Sequence, residues 1–238
     1  MEFSEWEPVY EEVLADFGFS RTADERARDV AARYATPVDF DALADAVGLG
    51  GGGTAAIVGA APSLPSELSA FDPGSVDAVF AASTAADVLD AADVRVDCLV
   101  TDLDKNPETA ARLTGTGVPV AAHAHGDNVP AIRRWLPRFS ADATVATTQA
   151  APIDAVYNPG GFTDGDRAAF LADALGAGEL RFLGWEFDDP TVGPEKAKKL
   201  SWAERLLHWL ERRRGERFDV LDDRRDGIDP IRSDHAPG

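Results

Sequence analysis

Two short stretches concentrate side chains that can do chemistry. Val100-Thr101-Asp102-Leu103-Asp104-Lys105-Asn106 carries carboxylates at i and i+2, close enough to converge on one hard cation. Mg²⁺ is commonly held by one or two carboxylates together with substrate phosphates. Ala122-His123-Ala124-His125-Gly126-Asp127-Asn128 holds two of the four histidines. In extended backbone, positions 123, 125 and 127 share one face. Two chemistries compete for them. His-x-His-x-Asp can open a zinc hydrolase site, which needs further ligands. The other histidines, His208 and His235, stand on the last helix and in the tail, so a third imidazole is hard to supply. The second chemistry is the handling of polyphosphate and hydroxyl groups beside Mg²⁺.

Weaker signals lie around these two. Val58-Gly59-Ala60-Ala61-Pro62-Ser63-Leu64 is a small-residue turn whose backbone N–H groups can face a phosphate. It lacks both the three glycines of a dinucleotide fingerprint and the Gly-Lys-Ser/Thr ending of a P-loop. Its other reading is a tight strand–helix turn with Ser63 near the cap. Gln149 follows Thr147-Thr148, and Gly160 and Gly161 could let backbone approach a flat ligand. Thr163 and Asp166 have capping-box spacing, and the structural reading is preferred for that pair. Glu186 is a ligand carboxylate candidate after another apolar run. Lys196 and Lys199 share one face at the start of the last helix, where cations oppose the macrodipole. Binding a polyphosphate would account for them, as would charge balance on an acidic surface.

The elements that must position these residues alternate. Apolar runs at 55–58, 76–82, 96–101, 118–122, 143–146 and 180–183 read as strands. Between them, 84–91, 107–113, 129–136 and 164–175 read as helices. Several of the strands are apolar on both faces, as strands covered on each side are. The alternation predicts an α/β protein with a doubly wound, mostly parallel, Rossmann-like sheet. Ligands of such sheets bind beyond the carboxyl ends of the strands, where both principal motifs fall. Residues 1–53 read as a small helical region, with an apolar stripe through Trp6, Val9, Val13, Leu14 and Phe17 that continues through Ala27, Val30, Ala31 and Tyr34. It closes at the glycine-rich run 48–53, a hinge or tight connector. Residues 54–215 form the expected catalytic domain, ending in a helix from about 194 to 213. Residues 216–238 read as a C-terminal extension, partly disordered and frayed from Asp222 onward.

Composition narrows the classes. The chain has 238 residues, 45% of them hydrophobic, enough for one sizeable core. No apolar run reaches the length of a membrane span, and the acidic N-terminus does not read as a secretory signal, so a cytoplasmic location is expected. The single Cys98 permits no internal disulfide. A net charge of −19 makes nucleic acid and anionic membrane poor partners. Arginine greatly outnumbers lysine and aspartate is favoured over glutamate, a surface suited to concentrated salt, as in a halophilic source. In such a chain most carboxylates need no catalytic explanation.

Together, VGAAPSL at 58–64, VTDLDKN at 100–106, AHAHGDN at 122–128, TTQ at 147–149, NPGGFTDGDRA at 158–168, LGWEF at 183–187 and KAKKL at 196–200 resemble the archaeal MptE-like family of 6-hydroxymethyl-7,8-dihydropterin pyrophosphokinases. AHAHGDN and GFTDGDRA are the specific motifs; TDLD also occurs in thiamin pyrophosphokinases, whose catalytic fold looks related. The chain departs from the usual family pattern at Ala61, Lys105 and Glu186. The resemblance implies transfer of a pyrophosphoryl group from ATP to the pterin hydroxymethyl oxygen, with AMP released, Mg²⁺ required, and a place in tetrahydromethanopterin or folate biosynthesis. It implies metal ligation by Asp102 and Asp104, with Asp127 a further ligand candidate. His123, His125 and Asn128 would line the phosphate or hydroxyl region, and either His125 or Asp127 would take the hydroxyl proton. ATP and a hydroxymethyl-dihydropterin are the expected partners, and a homo-oligomer is compatible with the sequence. A thiamin-type pyrophosphokinase, a sugar-nucleotide transferase using the Asp-x-Asp pair, a zinc hydrolase on His123, His125 and Asp127, and a nucleotide-binding module without catalysis remain alternatives.

Overall fold

The computed structural model describes residues 1–231. Three helices come first: α1 (Phe3–Phe17), α2 (Arg21–Ala31) and α3 (Phe40–Ala46). The order then alternates: β1 (Thr54–Val58), α4 (Leu64–Leu68), β2 (Ala78–Ala82), α5 (Ala85–Ala91), β3 (Cys98–Thr101), α6 (Pro107–Gly115), β4 (Val120–Ala124) and α7 (Val129–Trp135). β5 (Thr144–Thr148), β6 (Val156–Tyr157), α8 (Asp164–Ala174), β7 (Glu179–Leu183) and α9 (Pro194–Arg214) complete it.

All seven strands pair in parallel in the order β6-β5-β4-β3-β2-β1-β7. The expected doubly wound α/β sheet is therefore present. Six of its strands coincide with the apolar runs. The two-residue edge strand β6 and the short α4 are additions too small to leave a periodic signal. Alternation along each strand builds two cores. Ala55 and Ile57 of β1 join the core shared with α1, α3, α8 and α9, whereas Ala56 and Val58 join the one shared with α2 and α4 to α7. The chain steps from β1 to β6 with its crossover helices on one face. It then returns over the other face through α8, which packs across β1, β2 and β3, to place β7 on the far side of β1.

The helix ends follow local chemistry. Glu2 and Glu5 form a capping box at α1, Ser20 accepts from the Ala23 N–H at α2, and Asp39 caps α3. Thr163 and Asp166 make the expected capping box at α8. α2 ends at Ala31, so Tyr34 does not continue the apolar stripe; it stands exposed in the turn beyond. The glycine-rich connector packs tightly: Leu49 is buried and Gly53 O accepts from the Gly178 N–H at 2.8 Å. Within the expected C-terminal extension, Phe218, Leu221, Ile228 and Ile231 are buried in the same core as α9; residues 232–238 lie outside the described residues. Among the described residues no helix is long and apolar enough to cross a membrane.

Trp6 ties the N-terminal helices to the sheet. Its ring stacks on Trp209 at 6.4 Å and meets Phe170 edge-on at 6.3 Å, and its Nε1 donates to Gln149 O at 2.9 Å. Trp6→Ala is expected to cost about 3–5 kcal/mol, read as a lower denaturant midpoint in equilibrium unfolding; an unchanged midpoint would mean that α1 contributes little to the common core.

Candidate active site

A cleft of about 690 Å³ opens over the carboxyl ends of the strands. Its floor comes from the residues that follow β1, β2, β3, β4, β5 and β7. The first turns of α8 and α9 and the α1–α2 corner close its sides. Because connections leave β1 and β7 on opposite faces, the strand ends there cannot be covered by one helix layer, and a crevice remains.

The two acidic–imidazole motifs meet in the middle of this floor. Asp102 and Asp104 follow β3, with Leu103 between them in the left-handed region (φ 68°). That conformation costs a branched residue about 1–2 kcal/mol. It is held by burial of Leu103 and by its N–H donating to Thr101 Oγ1 at 3.0 Å. The turn brings the Asp104 N–H to Asp102 Oδ1 at 3.2 Å. Across the floor, His125 Nε2 lies 3.4 Å from Asp102 Oδ2, and its Nδ1 lies 2.9 Å from Asp127 Oδ1 on the rim. Burial opposes the charge on Asp102, yet the bonds to His125 and Asp104 outweigh it and hold this carboxyl well below the usual range. Burial, reinforced by Asp102, pushes Asp104 up. Two carboxylates this crowded favour a shared proton or a cation.

Asn128 locks the pair of strand ends together. Its Nδ2 donates to Asp102 O at 2.8 Å and to His123 O at 2.7 Å, while its Oδ1 accepts from the His125 N–H at 3.1 Å. Its side chain is spent on backbone beneath the cleft. His123 also lies below the floor, sharing a 3.0 Å bond between Nδ1 and Thr147 Oγ1. Burial, then the charges of Arg167 and His125, lower its basicity far below the ordinary imidazole value. Its Nε2 and Arg167 Nε are buried without partners among the described residues. His123, His125 and Asp127 therefore do not converge. Among the described residues no group of three or more His, Cys, Asp or Glu side chains is gathered to hold a metal, so neither the zinc set of His123, His125 and Asp127 nor a joint set of Asp102, Asp104 and Asp127 is assembled.

Sequence reasoning missed the network that supports this floor. Asp24 of α2, 3% exposed, accepts from Tyr10 Oη and Gln149 Nε2, both at 2.8 Å, and from the Gly126 N–H at 2.7 Å. Arg167 donates to Gln149 Oε1 at 3.2 Å and to Asp164 Oδ1 at 3.1 Å. Burial, then the charge of Asp102, raise Asp164 against the pull of Arg167. Asp24 and Arg167 lie far apart in sequence, and nothing local marks either as buried; Gly126, Gln149, Asp164 and Arg167 fell inside motifs already noticed, whereas Asp24 did not.

At the other end of the cleft, Gly59 and Gly184 face each other across β1 and β7. A Cβ on either would meet the other's carbonyl oxygen at 2.5 Å, so this crossing requires glycine. Glu186 lines the cleft and its Oε1 accepts from the Ser63 N–H at 2.9 Å. Ser63 itself does not line it, and its hydroxyl is buried without a partner among the described residues. Lys196 and Lys199 line the cleft together with Lys105, whereas Lys198 turns away to Asp16. Burial and then Lys105 lower the basicity of Lys196. Gly160 and Gly161 are not in the cleft. With φ of 106° and 91° they press against α8, where a Cβ on Gly161 would lie 2.7 Å from Arg167 N and Cα. The expected approach of backbone to a ligand is instead an approach to a helix, and it delivers Phe162 to the cleft.

Comparison with known proteins agrees with this arrangement. Residues 37–191 match the model of the family described as 6-hydroxymethylpterin diphosphokinase MptE-like. Proteins named 6-hydroxymethyl-7,8-dihydropterin pyrophosphokinase are similar over nearly their whole length. That of Methanothermobacter thermautotrophicus is 37% identical, over 89% of this chain and 96% of the relative. That of Pyrococcus furiosus is 32% identical, over 89% and 95%. That of Methanocaldococcus jannaschii is 27% identical, over 89% and 96%. With the strand-end cleft and its acidic pair in place, and with a match over most of its length, the chain belongs to the MptE-like family of 6-hydroxymethylpterin diphosphokinases.

Proposed function

We propose that this enzyme transfers the terminal diphosphate of ATP to the hydroxymethyl oxygen of 6-hydroxymethyl-7,8-dihydropterin. The observation that carries the reading is the meeting of Asp102, Asp104 and His125 on one cleft floor, with Lys105, Lys196 and Lys199 lining the same cleft. The pterin oxygen attacks the β-phosphorus, the bond from that phosphorus to the α–β bridging oxygen breaks, and AMP departs. The proton leaving the pterin hydroxyl is taken by the His125–Asp127 pair, one group of which must lie within hydrogen-bond reach of it. Lys105, Lys196 and Lys199 bind and orient the phosphate chain. Gly59, at the β1 turn, shapes the adjoining end, and the Ser63 N–H holds the Glu186 carboxylate there from outside the cleft.

Asp102 and Asp104 would hold Mg²⁺, with Asp127 in reserve on the rim. The donor set fits: hard oxygen ligands, two in number, crowded enough that one is driven toward protonation when no cation is near. When bound, the ion neutralises charge on the transferring group.

Incubation with ATP, Mg²⁺ and the dihydropterin is expected to yield AMP in step with the pterin diphosphate, and none after chelation of divalent ions; ADP as the nucleotide product would refute the reading. Asp102→Asn is expected to lower kcat by about a hundredfold or more, since loss of a group merely supporting a metal ligand already costs 10- to 100-fold. Its unfolding midpoint should stay near that of the wild type; turnover within a few-fold of wild type would remove Asp102 from the metal site.

The raised Asp104 sets the sign of the pH dependence. A group pushed up retains its proton to higher pH, and the cation must displace that proton. Apparent Mg²⁺ affinity should therefore weaken as pH falls from about 7.5 to about 5.5, measured as the Mg²⁺ concentration giving half-maximal turnover. Asn128→Ala removes three hydrogen bonds from the strand ends and is expected to cost about 1–3 kcal/mol. It should also lower kcat more than it raises the KM for ATP, because His125 loses its anchor; full kcat at reduced stability would restrict Asn128 to folding.

A further inference from the structure

We propose that Phe19, backed by Phe17 and Phe162, is the stacking platform for the bicyclic ring of the acceptor, so that the α1–α2 corner selects the substrate that receives the diphosphate. The inference deepens the reading above and rests on it.

Phe19 is the most exposed large apolar side chain described, at 42%, yet its backbone is pinned. Gly18 ends α1 in the left-handed conformation, and the N–H groups of Gly18 and Phe19 both return to Leu14 O. Ser20 immediately caps α2. Arg21 bridges Glu7 and Glu11 of α1 to Glu25 of α2, which locks the corner from outside. A rigid, exposed phenyl ring is a poor surface residue and a good ligand platform, because little ordering entropy remains to be lost on binding. Its ring stacks on Phe17 at 5.2 Å, and Phe17 meets Phe162 at 5.0 Å, giving a continuous aromatic wall.

Geometry decides which substrate this wall faces. Ala23 and Asp24 abut Gly126, so the corner stands beside the end of β4, next to His125 and Asp127. The β1–β7 crevice stands at the opposite end, beyond Asp102 and Asp104, while the first turns of α9 close the cleft beside the corner, with Lys198 Nζ over the Phe17 ring at 4.7 Å. The atom that loses a proton, the hydroxymethyl oxygen of the acceptor, must be near the proton acceptor. The acceptor ring therefore extends toward β4 and β5, over Phe19. The polar groups on this side are largely occupied with one another: Asp24 with Tyr10, Gln149 and Gly126, Gln149 with Arg167, and Thr163 with Asp166. What remains open to a ligand there is chiefly aromatic face, which suits a flat heterocycle.

The test pairs turnover with direct binding. Phe19→Ala is expected to raise the KM for the dihydropterin about tenfold, the size that loss of one stacking face carries. It should leave the KM for ATP and kcat within about twofold. Phe19→Tyr should restore the wild-type value and Phe19→Leu fall between. Titration of 6-hydroxymethylpterin fluorescence without ATP should show the same weakening. An unchanged pterin KM and binding constant in Phe19→Ala would overturn the proposal, as would a rise confined to the KM for ATP, which would assign the wall to the purine. If wild type binds the pterin through Phe19 but releases no AMP, the platform stands and the transfer reading falls; if it neither binds the pterin nor releases AMP, both fall.

Discussion

A buried parallel strand cannot end with its carbonyls unpaired, and the way β3 and β4 terminate governs everything above them. At that point the chain leaves the ladder and the last oxygens need donors. One amide supplies them: Asn128 Nδ2 reaches both Asp102 O and His123 O, and its Oδ1 takes the His125 N–H. The same bonds that satisfy the strand ends fix where the Asp102 carboxylate and the His125 ring stand. The left-handed Leu103 adds the second carboxylate. Positioning and backbone satisfaction are here one event, so the geometry of the candidate site is tied to fold stability.

The acidic surface makes the charge arrangement legible. A protein of net charge −19 with four lysines gathers three of them around one cleft, from two elements far apart in sequence. Burial of Lys196 beside Lys105 is unfavourable until an anion is present. The crowded carboxylates on the floor are the mirror image, unfavourable until a cation is present. A metal-bound polyphosphate would relieve both at once, and such a ligand is what differential binding at this cleft should favour.

The helices at the start of the chain form part of the cleft wall. Residues 37–191 carry the family match, while Phe19 and Asp24 precede it and Lys196 and Lys199 follow it. These flanking elements share the core of the sheet through Trp6, Trp202 and Leu206, so they are packed as firmly as the strands. On the proposed reading, a rigid sheet end with walls drawn from outside it would separate the reacting groups from the surfaces that read the substrates.

Periodicity and turn chemistry act over a few residues, and what they govern was readable from the chain alone: the alternation of strands and helices, the parallel sheet, the capping box at Thr163 and Asp166, and the two motifs at strand ends. The sequence likewise marked Asp102, Asp104 and His125, since their spacing within each motif is itself the signal. It could not tell that His123 and Asn128 turn under the floor, because in a strand's last residues the path of the leaving chain decides which face meets solvent. Gly160 and Gly161 misled for a similar reason: a positive φ is visible as glycine, but whether it admits a ligand or a helix depends on what lies opposite. Asp24 and Phe19 carried no local signature at all. Their roles arise from contacts between segments more than a hundred residues apart, such as Asp24 with Gln149, and only the packed chain creates the low-dielectric surroundings that give such groups their meaning.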